Sequence, residues 1–358
     1  MSKHRIIVVL SGFPRRSETF ALNEILALKR RVLLGWIFAT KPGEESFIQP
    51  AVQDLANDVE VLPEGGPDEQ ASFITQRVHG FRVTGVHGYF AHTPTEVASR
   101  VASNLRTRYG FSVHAKDARK ITPEILLDRA IHAACVVACN PDVAREIGSC
   151  GANLHLLPHG VDLAHFHPTP LPFLEPLRIL AVGRLVEKKG FHILLRAAAR
   201  LKRPFLLRIV GEGPERERLQ SIIAEHGLAE RVSLVGAKTH EELPDEYTNA
   251  HLLVVPSIVD RSGDRDGLPN VVLEAMACGR AVVATDAGAL SSAVVPSQTG
   301  MLLRQNDPAS LAATLDLLAG SPAVLRLLGE QGRQLVVRDY EISRCTDRFC
   351  NVLESAYA

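Results

Sequence analysis

An excess charge of either sign is missing from this chain: its 358 residues carry 40 lysines and arginines against 40 aspartates and glutamates. No global field therefore draws it onto nucleic acid, and any anion binding has to come from local placement. Long apolar runs are missing as well; none approaches the ~18 consecutive apolar residues of a membrane-spanning helix. The opening MSKHRIIVVLSGF is briefly basic and then apolar, but it runs into Gly12-Phe13-Pro14 without a small-residue cleavage site. It reads as a first core strand and not as a secretory leader. Cysteines are sparse: Cys135, Cys139, Cys150, Cys278, Cys345 and Cys350, with no CxxC pair. That usage points to reduced thiols and a cytoplasmic setting. Cys135 and Cys139 read better as buried small hydrophobes than as metal ligands. Aromatic residues make up only 5%.

What is present is an ordinary globular mixture, 46% apolar and 22% charged, in a chain long enough for two cores. In the second half, short apolar strands alternate with helical patterns. Strands are expected at 178–183, 205–211, 232–236, 252–256 and 281–285, with helices near 190–202, 214–226 and 241–249 and another from about 268. Runs such as LLRIV and LLVV are apolar at nearly every position, as in strands covered on both faces of a parallel sheet. The first half repeats the rhythm less cleanly, with strands expected at 5–11, 32–39, 59–62, near 83–86, at 135–139 and 154–158, and a helix at 18–31. Residues 41–82 give no clear pattern. HPTPLPFLEP, 167–176, holds four prolines and reads as a stiff linker. The expected class is α/β: two Rossmann-like doubly wound domains, 1–168 and 169–339, facing a central cleft, with a last helix over 340–358. Ligands would bind beyond the carboxyl ends of the strands.

Three segments of the second half carry candidate chemistry. In AVGRLVEKKG, Gly183, Arg184 and Lys189 follow a strand end, where two cations and a helix start can hold a diphosphate. Two solvated surface cations would look the same. In VGEGP, Gly211 and Gly213 form a glycine turn that an ordinary tight connection also explains. In DGLPNVVLEAMACGRAVVAT, Asp266 and Glu274 flank a helix start, and Gly267, Leu268 and Pro269 between them offer backbone amides. Asp266 alone could be a helix-start acid favoured by the dipole. An acid inside VVLEAMA, however, is costly without a partner, so Glu274 reads as functional.

Together GRLVEKKG, VGEGP, VVPS and DGLPNVVLEAMACGRAVVAT strongly resemble the retaining glycosyltransferases of family four, which have the GT-B fold. SGFPRRSETFALNEI, VHGYFAH, FSVHAKD and LPHGVD in the first half look like the same family, and most like its exopolysaccharide branch, including the colanic-acid type. The resemblance covers nearly the whole chain. Its Glu-x7-Glu motif is matched by Asp266 and Glu274, with Asp266 one methylene shorter than the usual glutamate.

The resemblance implies a sugar transfer from a nucleotide-diphosphate sugar, UDP- or GDP-linked, to an acceptor hydroxyl with retained anomeric configuration. Arg184 and Lys189 would hold the diphosphate. Glu274 would bind the ribose hydroxyls, and Asp266 with the amides near Gly267 and Leu268 would meet the donor sugar and phosphate. His114 would contact the transferred sugar. Gly12 and the Ser17-Glu18-Thr19 turn would border the cleft, and the final helix would cross back onto the first domain. No cofactor is implied, and no metal is expected although Asp264-Arg265-Asp266 spells a DxD triplet, because Arg and Lys meet the diphosphate. The acceptor would be a glycan, a lipid-linked sugar or a small metabolite. A catalytically weak nucleotide-sugar-binding subunit is the alternative. Between Arg100 and Lys120, the six cations Arg100, Arg106, Arg108, Lys116, Arg119 and Lys120 face a single acid, Asp117. They read as a solvated helix face, or as a patch for a phosphorylated acceptor or the inner face of the plasma membrane.

Overall fold

The computed structural model describes residues 5–15, 19–44, 52–114, 118–148, 151–170 and 175–358. The chain divides into two compact units, residues 1–160 with 343–358 and residues 161–342. The first is built from β1 (Ile6–Leu10), α1 (Thr19–Arg30), β2 (Leu34–Ala39), α2 (Gln53–Ala56), β3 (Val59–Val61), α3 (Pro67–Arg77), β4 (Gly85–Tyr89), α4 (Thr93–Leu105), β5 (Arg108–Val113), α5 (Pro123–His132), β6 (Val136–Ala138), α6 (Pro141–Ile147) and β7 (Leu154–Leu156). Its seven strands are all parallel, in the order β3-β2-β1-β4-β5-β6-β7.

The second unit holds β8 (Leu177–Val182), α7 (Phe191–Ala198), β9 (Phe205–Val210), α8 (Arg216–Glu225), β10 (Val232–Gly236), α9 (Leu243–Thr248), β11 (Leu252–Val255), α10 (Asn270–Ala277), β12 (Ala281–Thr285), β13 (Met301–Leu303), α11 (Pro308–Ala319) and α12 (Pro322–Asp339). Its six parallel strands run β10-β9-β8-β11-β12-β13. Both orders reverse direction beside the first strand of the unit, between β1 and β4 and between β8 and β11. Such switch points, at the carboxyl ends of the strands, are where doubly wound folds take ligands. The central strands β1, β4, β11 and β12 are buried at every position, as expected for strands covered on both faces.

The last helix, α13 (Ile342–Ala356), packs in the first unit: Phe349, Cys350, Leu353 and Tyr357 share one core with Ile6, Val8, Leu28 and Tyr89. Tyr357 is fully buried, and Gly85 makes room for it, because a Cβ there would lie 2.2 Å from the tyrosine ring. The tyrosine hydroxyl donates to the Val86 carbonyl at 3.2 Å and sits 3.0 Å from His87 Nδ1, whose Nε2 lies 2.9 Å from Ser112 Oγ. Burial lowers His87 to about 3, so it is a neutral core histidine with every polar atom engaged.

Several expectations shift. The proline-rich 167–176 stretch lies inside the second unit and not between units. Phe166 is buried in that unit's core, and Arg280 donates to the Thr169 carbonyl at 2.7 Å. The chain leaves the first unit after Gly160 and returns after Ile342, and the two crossing points are tied by Val161 N–H to Tyr340 O and Ile342 N–H to Val161 O. Residues 171–174 of the stretch are outside the described residues. The patternless 41–82 region contains α2, β3 and α3. The basic run is not one helix face: it covers the end of α4, a left-handed cap at Arg106, strand β5 and a short 3₁₀ turn. Arg100 pairs with Asp68 and Glu96, Arg119 with Glu146, and Arg108 donates to the Ala356 carbonyl. Lys116 and Asp117, like Cys150, Ser17 and Glu18, lie outside the described residues, and only the backbone of Thr19 is described. Burial pushes the Cys135 and Cys278 thiols up to about 12, which suits small core hydrophobes.

Candidate functional site

In the second unit the expected donor groups gather on the carboxyl side of β8 and β11. The turn after β8 runs through Gly183 and the exposed Arg184 into a 3₁₀ turn at Glu187–Lys189, then α7. Lys189 Nζ is 2.8 Å from Asp266 Oδ2. Lys188, which the sequence did not single out, is the more buried of the two lysines and lies 3.1 Å from Asp264 and 3.6 Å from Asp266. The Ser257 hydroxyl donates to Asp266 Oδ2 at 2.7 Å. Burial alone would raise the Asp266 pKa, but the two ammonium groups and Ser257 outweigh it, and the carboxyl is held below its ordinary value. Asp266 is therefore an ionised, buried anchor for the lysine pair. Arg184 is exposed and enters no ion pair among the described residues.

Both acids of the DxD triplet are thus bonded to lysine. Among the described residues, no group of three or more His, Cys, Asp and Glu is arranged to hold a metal. Gly288 fixes the loop: it has φ +60°, and a Cβ there would lie 1.8 Å from the Asp266 carbonyl oxygen. Gly211, just after β9, lets its turn lie close on the loop after β8, since a Cβ would come 1.9 Å from the Gly183 carbonyl oxygen. Gly213 is likewise pressed on Leu185, so the VGEGP turn supports the loop through backbone packing.

Helix α10 begins at Asn270, not near Leu268, which puts Glu274 about one turn from its start. Pro269 is the N-cap, with no side-chain cap bond and no acid in the first turn, so the amides after Gly267 and Leu268 form a positive helix end. Glu274 is 7% exposed, and Tyr247 on α9 donates to its Oε2 at 2.7 Å. Burial raises the Glu274 pKa to about 7, the Tyr247 bond and the nearby His165 holding it from going higher. Tyr247 was missed because nothing local in LPDEYT marks it; only packing of α9 against α10 reveals it.

The first unit carries a second cluster, again at strand ends. His114 follows β5, and its ring lies 4.6 Å from Phe20, 5.0 Å from Phe90, 5.5 Å from Tyr89 and 5.1 Å from His159. Burial, with His159 and His87 adding to it, keeps His114 well below its ordinary pKa, so the imidazole is neutral. Gly12, just beyond β1, is buried against the backbone of Lys41 and Pro42. Glu24, Tyr89 and His159 join His114 here and were not singled out from sequence. They are far apart in the chain, and only the sheet brings them together.

Comparisons with known proteins bear on the family and the fold. The family model for glycosyl transferases group 1 matches residues 166–335. The chain is 36% identical over 160 residues to a protein named as the colanic acid biosynthesis glycosyltransferase WcaL of Escherichia coli (strain K12), covering 44% of this chain and 39% of that protein. It is 35% identical over 144 residues to the amylovoran biosynthesis glycosyltransferase AmsK of Erwinia amylovora, covering 39% of this chain and 35% of the relative. The chain thus spans less than half the length of these curated relatives. Among solved structures, Alr3699/HepE of Anabaena, crystallised in complex with UDP, superposes with a TM-score of 0.82 at 17% identity over 98% of this chain and all of that one. This last likeness shows the fold, two Rossmann-like α/β domains of the GT-B kind, which is the class expected from the sequence. Over residues 166–335, nearly all of its second unit, the chain is similar to the group 1 glycosyl transferases.

Proposed function

We propose that this protein transfers a sugar from a nucleotide-diphosphate sugar to an acceptor hydroxyl, with retention at the anomeric carbon, in the synthesis of an exopolysaccharide or another cell-surface glycan. The observation that carries the reading is the cationic turn after β8, Arg184 with Lys188 and Lys189, set at the switch point with the open end of α10 and the buried Glu274. A departing nucleoside diphosphate accumulates negative charge, and pre-oriented cations and amides stabilise it without reorganising. Arg184 offers a planar fork for two phosphate oxygens, and the lysines offer point charges. Glu274, with one oxygen held by Tyr247, has the other available for ribose hydroxyls. Neutral His114 suits a group that orients the transferred sugar. The names of WcaL and AmsK support the exopolysaccharide setting, and the UDP of Alr3699/HepE supports a UDP-linked donor, with GDP as the competing choice.

In this reading Arg184 and the amide end of α10 meet the diphosphate without a metal, so nucleotide binding should survive EDTA. Among the described residues, no single helix is long and apolar enough to cross a membrane. A lipid-linked acceptor would bring the protein to the inner face of the plasma membrane, where Arg106 and Arg108 would be the contacting cations. Charge reversal of both should then weaken binding to anionic vesicles. A thermal-shift panel of UDP, GDP, ADP and their sugar conjugates in EDTA tests the central reading. A ligand at a hundred times its Kd adds ~2.7 kcal/mol, and that shift should appear for one base and fall to about half in R184A at the same ligand concentration. No response to any nucleotide, with or without added divalent ion, would refute the donor site. Binding without turnover on any glycan acceptor would favour a nucleotide-sugar-binding subunit instead.

A further inference from the structure

The histidine cluster of the first unit contains an arrangement that donor binding does not use. Glu24 projects from α1 and is 7% exposed. The Tyr89 hydroxyl donates to its Oε2, and His159 Nδ1 lies 3.3 Å from its Oε1. A carboxylate only accepts, so the His159 proton belongs on Nδ1 and the Nε2 lone pair faces away from Glu24. Ring rotation is restricted: the His159 imidazole stacks at 4.1 Å on Phe20 and at 5.1 Å on His114. Its side chain is still 14% exposed, against 10% for Glu24, so the outer edge can be reached. A buried acid that fixes the tautomer of a reachable histidine is the second half of a base-and-orienter pair. Here it lies at the carboxyl edge of the sheet, beside an aromatic face.

We propose that Glu24 is a positioning residue that fixes His159 with Nε2 as a hydrogen-bond acceptor, and that this nitrogen receives a hydroxyl of the carbohydrate acceptor. The inference rests on the transfer reading above and names the acceptor-side contact of that reaction. A sugar has an apolar C–H face and a rim of hydroxyls. Phe20 offers the flat apolar surface and His159 the single oriented polar atom, the mixture that small-molecule sites use.

Histidine-labelled ¹⁵N spectra of the full chain test the tautomer without any ligand. The expected result is a protonated Nδ1 and an unprotonated Nε2 for His159, retained in Glu24→Gln, whose amide oxygen still accepts, and lost or mixed in Glu24→Leu. An unprotonated Nδ1 in the unsubstituted protein overturns the proposal. If Glu24→Leu fails to fold, the unsubstituted protein and Glu24→Gln still decide. The second arm is kinetic. His159→Phe and Glu24→Leu should lower kcat/KM for the acceptor about tenfold or more while nucleotide Kd moves less than about twofold, with Glu24→Gln recovering much of the loss. Unchanged acceptor kinetics in His159→Phe overturns the contact. The predicted tautomer in a chain that binds no nucleotide would sink the transfer reading and leave the Glu24–His159 positioning standing.

Discussion

Replacing Glu274 with glutamine should stabilise the protein at alkaline pH and hardly at all in acid. Burial disfavours the charged form of Glu274 and raises its pKa in the folded chain from the ordinary 4.5 to about 7. Between those two values the folded chain holds a proton that the unfolded chain has released, so stability falls as pH rises through the window. At about pH 8 the whole shift is expressed, and ionised Glu274 costs roughly 3 kcal/mol at 1.36 kcal/mol per pKa unit. At about pH 5 the cost is below about 1 kcal/mol, because the folded carboxyl is still protonated. Glutamine keeps an oxygen for the Tyr247 hydroxyl and cannot ionise, so E274Q removes the cost and not the bond. A kilocalorie moves the midpoint of a domain this size by about 2–4 °C, so E274Q should melt roughly 6–12 °C higher at about pH 8 and within a few degrees at about pH 5. Calorimetry of both proteins across the range is the assay, read on the transition of the second unit. The same variant should bind nucleotide more weakly, since an amide replaces the carboxylate proposed to bind the ribose. A stability gap between the two proteins that does not change with pH would refute the argument that Glu274 is buried, charged and unneutralised.

Arg184→Ala should leave the melting midpoint nearly unchanged, within about 0.5 kcal/mol as for an exposed side chain, while nucleotide Kd rises about tenfold by titration calorimetry. Lys188→Met should do the reverse in part. It takes one partner from buried Asp266 and Asp264, and loss of about 3 kcal/mol by denaturant titration is expected. Gly288→Ala should be destabilising and should weaken nucleotide binding together, because its Cβ would push the Asp266 backbone aside. Tyr357→Phe should cost about 1–3 kcal/mol in thermal melts, since the Val86 carbonyl loses its tyrosine donor and buried His87 Nδ1 loses its partner.

Legibility in the sequence followed local pattern. The second unit reads well because LLVV and AVVAT are apolar throughout, as strands covered on both faces must be. The first unit reads less well where the pattern is mixed. β5, RYGFSV, begins with an exposed arginine in the middle of a basic run, and that charge hid a strand whose last four residues are buried. α3 was obscured because four of the first five residues from Gly66 are proline, glycine or acidic, although Pro67 with Asp68 and Glu69 behind Gly66 is a usable helix start. At the site, Glu274 stands out because an acid in an apolar helix is conspicuous, whereas Asp266, in the loop before that helix, is marked only by the motif resemblance. Lys188 does not, since adjacent lysines point to different surroundings and composition cannot say which is buried. Glu24 and His159 are 135 positions apart, and no local signal links them.

The docking of Tyr357 against Gly85 has a consequence for biogenesis. The first unit is begun first on the ribosome and completed last, because four residues of its core arrive only after every strand of the second unit has been made. Until then the sheet face under Gly85 and Val86 lacks its cover, and apolar surface of that kind invites association with other chains or with chaperones. Nascent chains stalled short of Phe349 should therefore bind holdases more strongly than chains released with the whole helix.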